Sequence, residues 1–208
     1  MNLATTIKPS PTCFICSAAQ EITFQGVQDL EYQTYRPVDF AVCPKCRLVS
    51  QHPLPPAELL PIFYPGEYRN YQPLEETFFS ALKKFQFQGL VQKITRHFGQ
   101  GKQLKILEIG FGNGQLLLAL KANGYSNLYG IDFSDRYFSS LKSAGIRVQT
   151  QNLEKDFPFS EHFDVIFMVN VVEHFLDPEG VLKNCRDHLT QTGKVILITP
   201  NTNALEFS

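Results

Sequence analysis

The chain has 208 residues, a length that fits one ordinary domain or two small ones. Hydrophobic residues make up 43% and charged residues 19%, a balance typical of globular rather than disordered proteins. The formal net charge of −1 gives no electrostatic reason to expect nucleic acid or an anionic membrane as a partner. Residues 1–10 lack the apolar core of a signal peptide, and no run approaches the roughly 20 apolar residues of a membrane helix. We therefore expect a cytoplasmic protein.

Four of the five cysteines lie within residues 1–55, in two pairs of the same spacing. Cys13 and Cys16 form the first Cys-x2-Cys pair, Cys43 and Cys46 form the second, and 26 residues separate the pairs. Each pair places two thiolates on one side of a tight turn, so the four together match a tetrahedral zinc site. Four protein ligands leave no open coordination position. We predict a structural zinc in a zinc-ribbon-like module of four cysteines over residues 1–55, with reduced thiols or disulfides as the alternatives.

Residues 56–100 combine two kinds of sequence. A stretch rich in Pro and Tyr runs over residues 53–73, and apolar residues then recur at helical spacing over residues 75–98. Gly99 and Gly101 are expected to end that helix. We predict a linker and helix over residues 56–100, between the cysteine module and the rest of the chain.

Residues 101–208 alternate short apolar runs with helical segments, the pattern of a parallel α/β sheet. The runs are continuously apolar, as expected when helices cover both faces of the sheet. The predicted strands are residues 105–109, 128–131, 147–149, 163–169 and 194–199. The predicted helices are residues 115–122, 135–143 and 178–189.

A glycine-rich turn follows the first of these strands. The segment contains Glu108, Gly110, Gly112 and Gly114 at alternate positions and leads directly into a helix. Alternate glycines let the backbone turn sharply and approach a ligand closely, and the helix start offers free N–H groups. The second strand ends at Asp132, whose carboxylate is placed to accept the ribose hydroxyls of an adenosine ligand.

The pattern E-x-G-x-G-x-G, with an acid at the end of the next strand, resembles motif I of the class I S-adenosylmethionine-dependent methyltransferases. A dinucleotide motif would instead place a glycine at Gln115. Residues 131–134, 163–167, 172–174 and 193–198 resemble later segments of the same family, so the resemblance covers about half of the chain. It implies a Rossmann-like sheet, S-adenosylmethionine as cofactor and methyl transfer to a small-molecule acceptor.

The resemblance also assigns cofactor-binding roles, each beside a plainer structural interpretation. The plainer interpretations are that the glycines merely form a tight turn, that Asp132 is an ordinary acid at a strand end, and that Glu108 holds the turn. Phe133 lies near the adenine or in the core, and the segment at Asn152 contacts the adenine or is an ordinary loop. The implied set is Glu108, Gly110, Gly112, Gly114, Asp132, Phe133, Asn152 and Leu153.

Methyl transfer is an in-line displacement with an activated leaving group, so the protein mainly aligns the reactants and excludes water. A base is needed only where the acceptor must lose a proton. His174 is the candidate, because it follows the fourth strand at the ligand-binding edge of the sheet; a capping or structural role is its alternative. Relatives that methylate quinone precursors carry an acid, two residues and Glu-His here, with a proposed metal. Asn170 replaces that acid, so the metal role is not carried over.

The order of cysteine module, Pro-rich aromatic stretch and core resembles a group of bacterial methyltransferases. That group includes enzymes acting on sugar nucleotides and natural-product intermediates. The resemblance implies that Tyr64, Tyr68 and Tyr71 cover the cofactor cleft as a lid, while packing between domains is the alternative.

The class I fold has seven strands by this resemblance, and this sequence ends at Ser208, soon after the fifth. We expect five strands with the last two missing, and a partner chain or a missing C-terminal segment to complete the sheet. The alternative functions are a non-catalytic S-adenosylmethionine-binding or zinc-ribbon interaction module and, disfavoured by the glycine spacing, a nicotinamide-dependent oxidoreductase.

Overall fold

The computed structural model describes residues 11–65, 78–98, 103–153 and 156–200, with the side chains of the first helix described from residue 85 onward. The chain divides into two units, Met1–Tyr68 and Arg69–Ser208, which are described separately. No helix in the described ranges has the length and apolar character needed to cross a lipid bilayer.

The first unit is built on a three-stranded antiparallel sheet. Its strands β1 (Glu21–Val27), β2 (Val38–Val42) and β3 (Val49–His52) lie side by side in chain order. The central strand β2 pairs its Phe40 with Phe24 on one side and Gln51 on the other. The turn between β2 and β3 carries the second cysteine pair, and the first pair precedes β1. A 3-10 helix, Ala57–Phe63, follows the sheet.

The second unit is an α/β structure. Its elements in chain order are α1 (Phe78–Phe98), β4 (Lys105–Ile109), α2 (Gln115–Ala122), β5 (Asn127–Asp132), α3 (Phe138–Ser143), β6 (Arg147–Thr150), β7 (Phe163–Val169), α4 (Pro178–Asp187) and β8 (Leu189–Ile198). All pairings in its sheet are parallel, and the spatial order is β6-β5-β4-β7-β8. This arrangement confirms the predicted Rossmann-like fold class.

Helices cover both faces of this sheet, which explains why its strands are apolar without alternation. On β4, Ile106 packs into a core shared with α1, α2 and α3, whereas Leu107 and Ile109 face the opposite core with α4. The chain proceeds from β4 to β5 and β6 in one direction, and β7 and β8 extend the sheet in the other. The carboxyl ends of β4 and β7 therefore flank the topological switch point, where sheets of this type bind ligands.

Several predicted bounds differ from the structure by one or two residues. From β4 onward, two predicted starts differ by three residues or more, and each has a local cause. The third helix begins at Phe138 rather than at residue 135, because the N–H of Arg136 bonds the Ser134 hydroxyl at 3.3 Å in a turn that precedes the helix. The last strand begins at Leu189 rather than at residue 194. Gly193 lies within it at a bulge, and a Cβ there would lie only 2.6 Å from the Phe163 carbonyl oxygen.

Candidate functional site

The glycine turn between β4 and α2 depends on left-handed backbone conformations. Gly110, Gly112 and Gly114 have φ values of +70°, +55° and +74°, which residues with a Cβ rarely adopt. Space is restricted as well: a Cβ on Gly110 would overlap Cγ2 of Val171, and one on Gly114 would lie 2.7 Å from Cδ2 of Leu141. No other residue type fits Gly110 or Gly114 without displacing these neighbours.

Asp132 ties the glycine turn to the end of β5. Its Oδ2 accepts a hydrogen bond from the Gly112 N–H at 2.8 Å, and its Oδ1 accepts one from the Ser134 N–H at 2.9 Å. The residue is only 6% exposed. The Asp132 carboxylate therefore holds the glycine turn at the end of β5, the position from which a strand-end acid contacts a ribose in folds of this type.

Glu108 lies on β4 directly before the turn and is 4% exposed. Among the described residues, its Oε2 has no hydrogen-bond partner. Burial and then the neighbouring Asp132 charge raise the pKa of Glu108 well above its ordinary value, and the Leu117 N–H acts in the opposite direction. An unpaired carboxyl oxygen inside a protein is costly. Glu108 therefore presents an unfilled acceptor beside the turn.

The remaining predicted cofactor residues follow β5 and β6. Phe133 is 49% exposed, so it does not belong to the core. Leu153 is buried among the residues on the α4 side of the sheet, and its carbonyl accepts a bond from the Asn184 amide at 3.4 Å. Asn152 is half-buried. Because parallel strands end at one edge, these residues follow the same edge as the glycine turn. Their contacts with a cofactor stay predictions.

His174 ends the 3-10 helix Val172–His174, on the turn that follows β7. Its side chain is exposed, yet partial loss of hydration lowers the pKa of His174, and the Glu173 charge opposes this shift. A lowered pKa leaves the imidazole neutral at pH 7, the form that accepts a proton. Glu173 in turn accepts a bond from the Thr199 hydroxyl at 3.1 Å. The lowered pKa is compatible with a base, and the catalytic role stays a prediction.

Sequence reasoning missed two parts of this edge. Val171 closes over the glycine turn, since it occupies the space that a Gly110 side chain would need. Thr199 follows β8 and holds Glu173 beside the candidate base. Val171 lies two residues after the predicted strand 163–169, and Thr199 is the last residue of the predicted strand 194–199. These positions at strand ends were the available signal.

The four cysteines of the first unit converge. Their sulfur atoms all lie within 4.8 Å of one another, with 3.5 Å between Cys13 and Cys46 and between Cys16 and Cys43. A disulfide needs about 2.05 Å, and all four thiols are free. Zn–S bonds of about 2.3 Å in a tetrahedron separate the sulfurs by about 3.8 Å. The cluster therefore has the size of a zinc site.

The two cysteine turns share one backbone pattern. The Cys13 carbonyl accepts a bond from the Ser17 N–H at 2.8 Å, and the Cys43 carbonyl accepts one from the Arg47 N–H at 2.9 Å. Ser17 and Arg47 both have positive φ, at 58° and 66°. The backbone N–H of Cys46 is the main cause that lowers the pKa of the Cys43 thiol to about 6. The repeated turn aims both cysteine pairs at one point.

Two other predictions concern Cys185 and the tyrosines of the predicted lid. Cys185 is fully buried in the second unit, and burial raises the pKa of its thiol to about 12. Of the three tyrosines in the predicted lid, Tyr64 is half-buried after the 3-10 helix Ala57–Phe63. Tyr68 and Tyr71 lie outside the described residues, so the lid stays a prediction.

Comparison with known proteins gives consistent matches. The family described as "Methyltransferase domain" matches residues 82–206. A ubiquinone biosynthesis O-methyltransferase from Coxiella burnetii (strain RSA 493 / Nine Mile phase I) is 30% identical over 104 residues, 47% of this chain and 44% of that protein. A protein of the same name from Rickettsia felis is 26% identical over 117 residues, 54% of this chain and 48% of that protein. This chain thus spans about half the length of these curated relatives.

Among solved structures, the PH0226 protein from Pyrococcus horikoshii OT3 is similar to this chain with a TM-score of 0.52. The two are 20% identical, and the match covers 64% of this chain and 65% of that one. At this identity the likeness supports the fold alone.

Proposed function

The chain belongs to the methyltransferase domain family, and from that premise we propose that it transfers the methyl group of S-adenosylmethionine to a hydroxyl group of a small molecule. The observation that carries the proposal is the Asp132 carboxylate bonded to the Gly112 N–H at 2.8 Å, at the switch point of a parallel sheet. This places an acid and a bare glycine backbone together, as an adenosine ligand requires.

The residues present fit the cofactor. Asp132 lies at the end of β5, where a strand-end carboxylate can accept ribose hydroxyls. The glycines let the backbone approach without side chains. The unpaired Oε2 of the buried Glu108 offers an acceptor for the amino-acid part. Two carboxyl groups suit a ligand with a net positive charge. The bound cofactor supplies a methyl group on a positively charged sulfur, which departs as a neutral thioether.

The chain's own part in the chemistry is alignment and proton removal. His174, with its lowered pKa, is neutral at pH 7 and accepts the proton of the acceptor hydroxyl at an imidazole nitrogen. Glu173, held by Thr199, lies beside it in sequence and stabilises the imidazolium that results. Phe133, half exposed at the end of β5, shields the site from water.

The acceptor class rests on two resemblances. Two relatives are named O-methyltransferases of ubiquinone biosynthesis, which supports oxygen as the acceptor atom. The order of cysteine module, aromatic stretch and core supports a sugar nucleotide or a natural-product intermediate. A hydroxyl acceptor satisfies both, so a first screen compares phenolic compounds with sugar nucleotides.

The four-cysteine cluster is proposed to hold a structural zinc ion. In the described part of the first unit, the buried apolar residues are Cys13, Ala41 and Cys43. So small a core does not stabilise a unit of this size unaided, and small domains commonly use a metal instead. Zinc content of the purified chain, measured by mass spectrometry, is expected to be one ion per chain. Cys16→Ser is expected to lose it and Cys185→Ala to retain it. Equal zinc in both variants would contradict the site.

Calorimetric titration with S-adenosylmethionine and S-adenosylhomocysteine tests the cofactor. We expect saturable binding of both and none of NAD. Asp132→Ala removes charged hydrogen bonds that contribute about 1.5–3 kcal/mol, so affinity should fall roughly 10- to 100-fold. Asp135→Ala, an exposed acid three residues on, is the matched control and should bind normally. No binding by the folded wild-type chain would refute the enzyme proposal. Binding without turnover on any acceptor would favour a non-catalytic module.

A further inference from the structure

The side chain of Glu108 occupies an apolar environment between strands and helix. In the parallel register of the sheet its neighbours are Gly130 on β5 and Phe167 on β7. Phe167 is fully buried, and Gly130 contributes no side chain. On the helix side, the Leu117 N–H of α2 acts on the carboxyl group and favours its ionised form. Neither Gly130, Phe167 nor the Leu117 N–H fully compensates a negative charge on Glu108.

Among the described residues, the charged group that acts on Glu108 is Asp132, and its effect is repulsive. Asp132 accepts two backbone N–H bonds, an environment that favours its ionised form. Glu173 and His174, on the turn after β7, are not among the groups that act on Glu108. Two carboxylates in one buried site do not both ionise readily. Of the two, Glu108 has an oxygen without any partner in the described residues.

We propose that Glu108 is a proton-linkage residue, whose carboxyl group holds a proton in the cofactor-free protein and releases it to solvent when the cationic cofactor binds. The inference rests on the proposed function. S-adenosylmethionine carries a net positive charge, which replaces the proton as the compensating charge beside Asp132. One of the two carboxylate charges is thereby compensated in either state: by the proton without the cofactor, and by the cofactor without the proton.

The linkage makes cofactor affinity depend on pH. One released proton raises the affinity up to about tenfold per pH unit while Glu108 is protonated in the free protein. The useful window is about pH 5 to pH 7, above the ordinary range of carboxyl groups and below that of the cofactor's amino group. Calorimetry of the wild-type chain in two buffers of different ionisation enthalpy counts the protons directly. We expect a release approaching one per site.

The matched variant is Glu108→Gln, which copies the shape of the protonated carboxyl group. It is expected to bind S-adenosylmethionine with no proton release and an affinity that does not change over this window. Glu179→Gln, at an exposed acid on α4, is the control and should behave as wild type. Wild-type binding that is equally strong across the window, with no buffer dependence, would overturn the linkage.

Unfolding without cofactor gives a second readout. The pKa of Glu108 is raised in the folded chain above its ordinary 4.5, so the folded state binds more protons and wild-type stability falls as pH rises through the folded pKa. The Glu108→Gln variant has no carboxyl group to lose this proton, so its stability does not fall in this way. The difference between its melting temperature and that of the wild type should therefore increase with pH. A difference that stays constant with pH would overturn protonation of Glu108. If the wild-type chain binds no cofactor, the proposed function and the release step both fail, while this comparison still decides whether Glu108 is protonated.

Discussion

Gly110→Ala is expected to be the most damaging single methyl addition in the glycine turn, for two separable reasons. A left-handed φ of +70° costs a residue with a Cβ about 1–2 kcal/mol. The new Cβ also overlaps Cγ2 of Val171 and lies 3.0 Å from its Cγ1. Valine has a stiff, branched side chain that cannot swing aside, and overpacking of this kind costs about 1–3 kcal/mol. The expected loss is therefore about 2–5 kcal/mol of unfolding free energy.

A matched series separates these contributions. Gly145 also has a left-handed φ, of +76°, but a Cβ there meets only the end of the Lys121 side chain at 3.4 Å. Gly145→Ala should therefore cost about 1–2 kcal/mol, the conformational part alone. Adding Val171→Ala to Gly110→Ala should recover the steric part, seen as a coupling energy of about 1–3 kcal/mol in the double-mutant cycle.

Urea denaturation of the zinc-loaded protein, followed by circular dichroism, measures the series; the chain has no Trp to report by fluorescence. The same variants are then titrated with S-adenosylmethionine, whose binding should fall with Gly110→Ala and survive Gly145→Ala. The reasoning is refuted if Gly110→Ala costs no more than Gly145→Ala, or if Val171→Ala brings no recovery.

Three further outcomes follow from single contacts. Asp177→Ala removes the N-cap of α4, where Oδ1 accepts the Gly180 N–H at 2.9 Å, and should lower the free energy of unfolding by about 1 kcal/mol in urea titrations; an unchanged midpoint would contradict the cap. Gly193→Ala places a Cβ 2.6 Å from the Phe163 carbonyl oxygen and should cost about 1–3 kcal/mol by the same assay, whereas a neutral effect would mean that the bulge relaxes freely. The NMR titration of His174 should give a pKa below the ordinary 6.5, so a value above it would argue against a neutral base at pH 7.

The central elements of the second unit could be predicted from the sequence because each carried its own local signal. β4, α2 and β7 match the predicted bounds, since buried parallel strands read as unbroken apolar runs and the glycine turn marks where a helix begins. The start of β8 could not be read in this way. Residues 189–193 are mostly polar, and they pair with β7 only because a bulge accommodates them beside Phe163.

The residues of the candidate site also differ in whether a local sequence pattern predicts them. Glycines in a turn and acids at strand ends follow from the order of residues in the chain, so Gly110 and Asp132 could be predicted as candidate site residues. The hydrogen bond from the Gly112 N–H to Asp132 joins residues 20 positions apart and depends on how β5 lies beside β4. The contact of Val171 with the turn likewise requires β7 to neighbour β4, a strand order that no local pattern encodes. Contacts between segments that are distant in the sequence could therefore not be predicted from the sequence.

The bond from Gly112 to Asp132 has a consequence for how a ligand is received. A glycine-rich loop is the most flexible backbone a chain can have, and ordering one during binding would subtract directly from affinity. Here the loop is held in place before binding by Asp132, the acid proposed to bind the ribose, by the Gly110 N–H bonded to the Ile131 carbonyl at 2.7 Å, and by the contact with Val171. The conformational entropy of the loop is lost when the chain folds, so ligand binding does not have to order the loop.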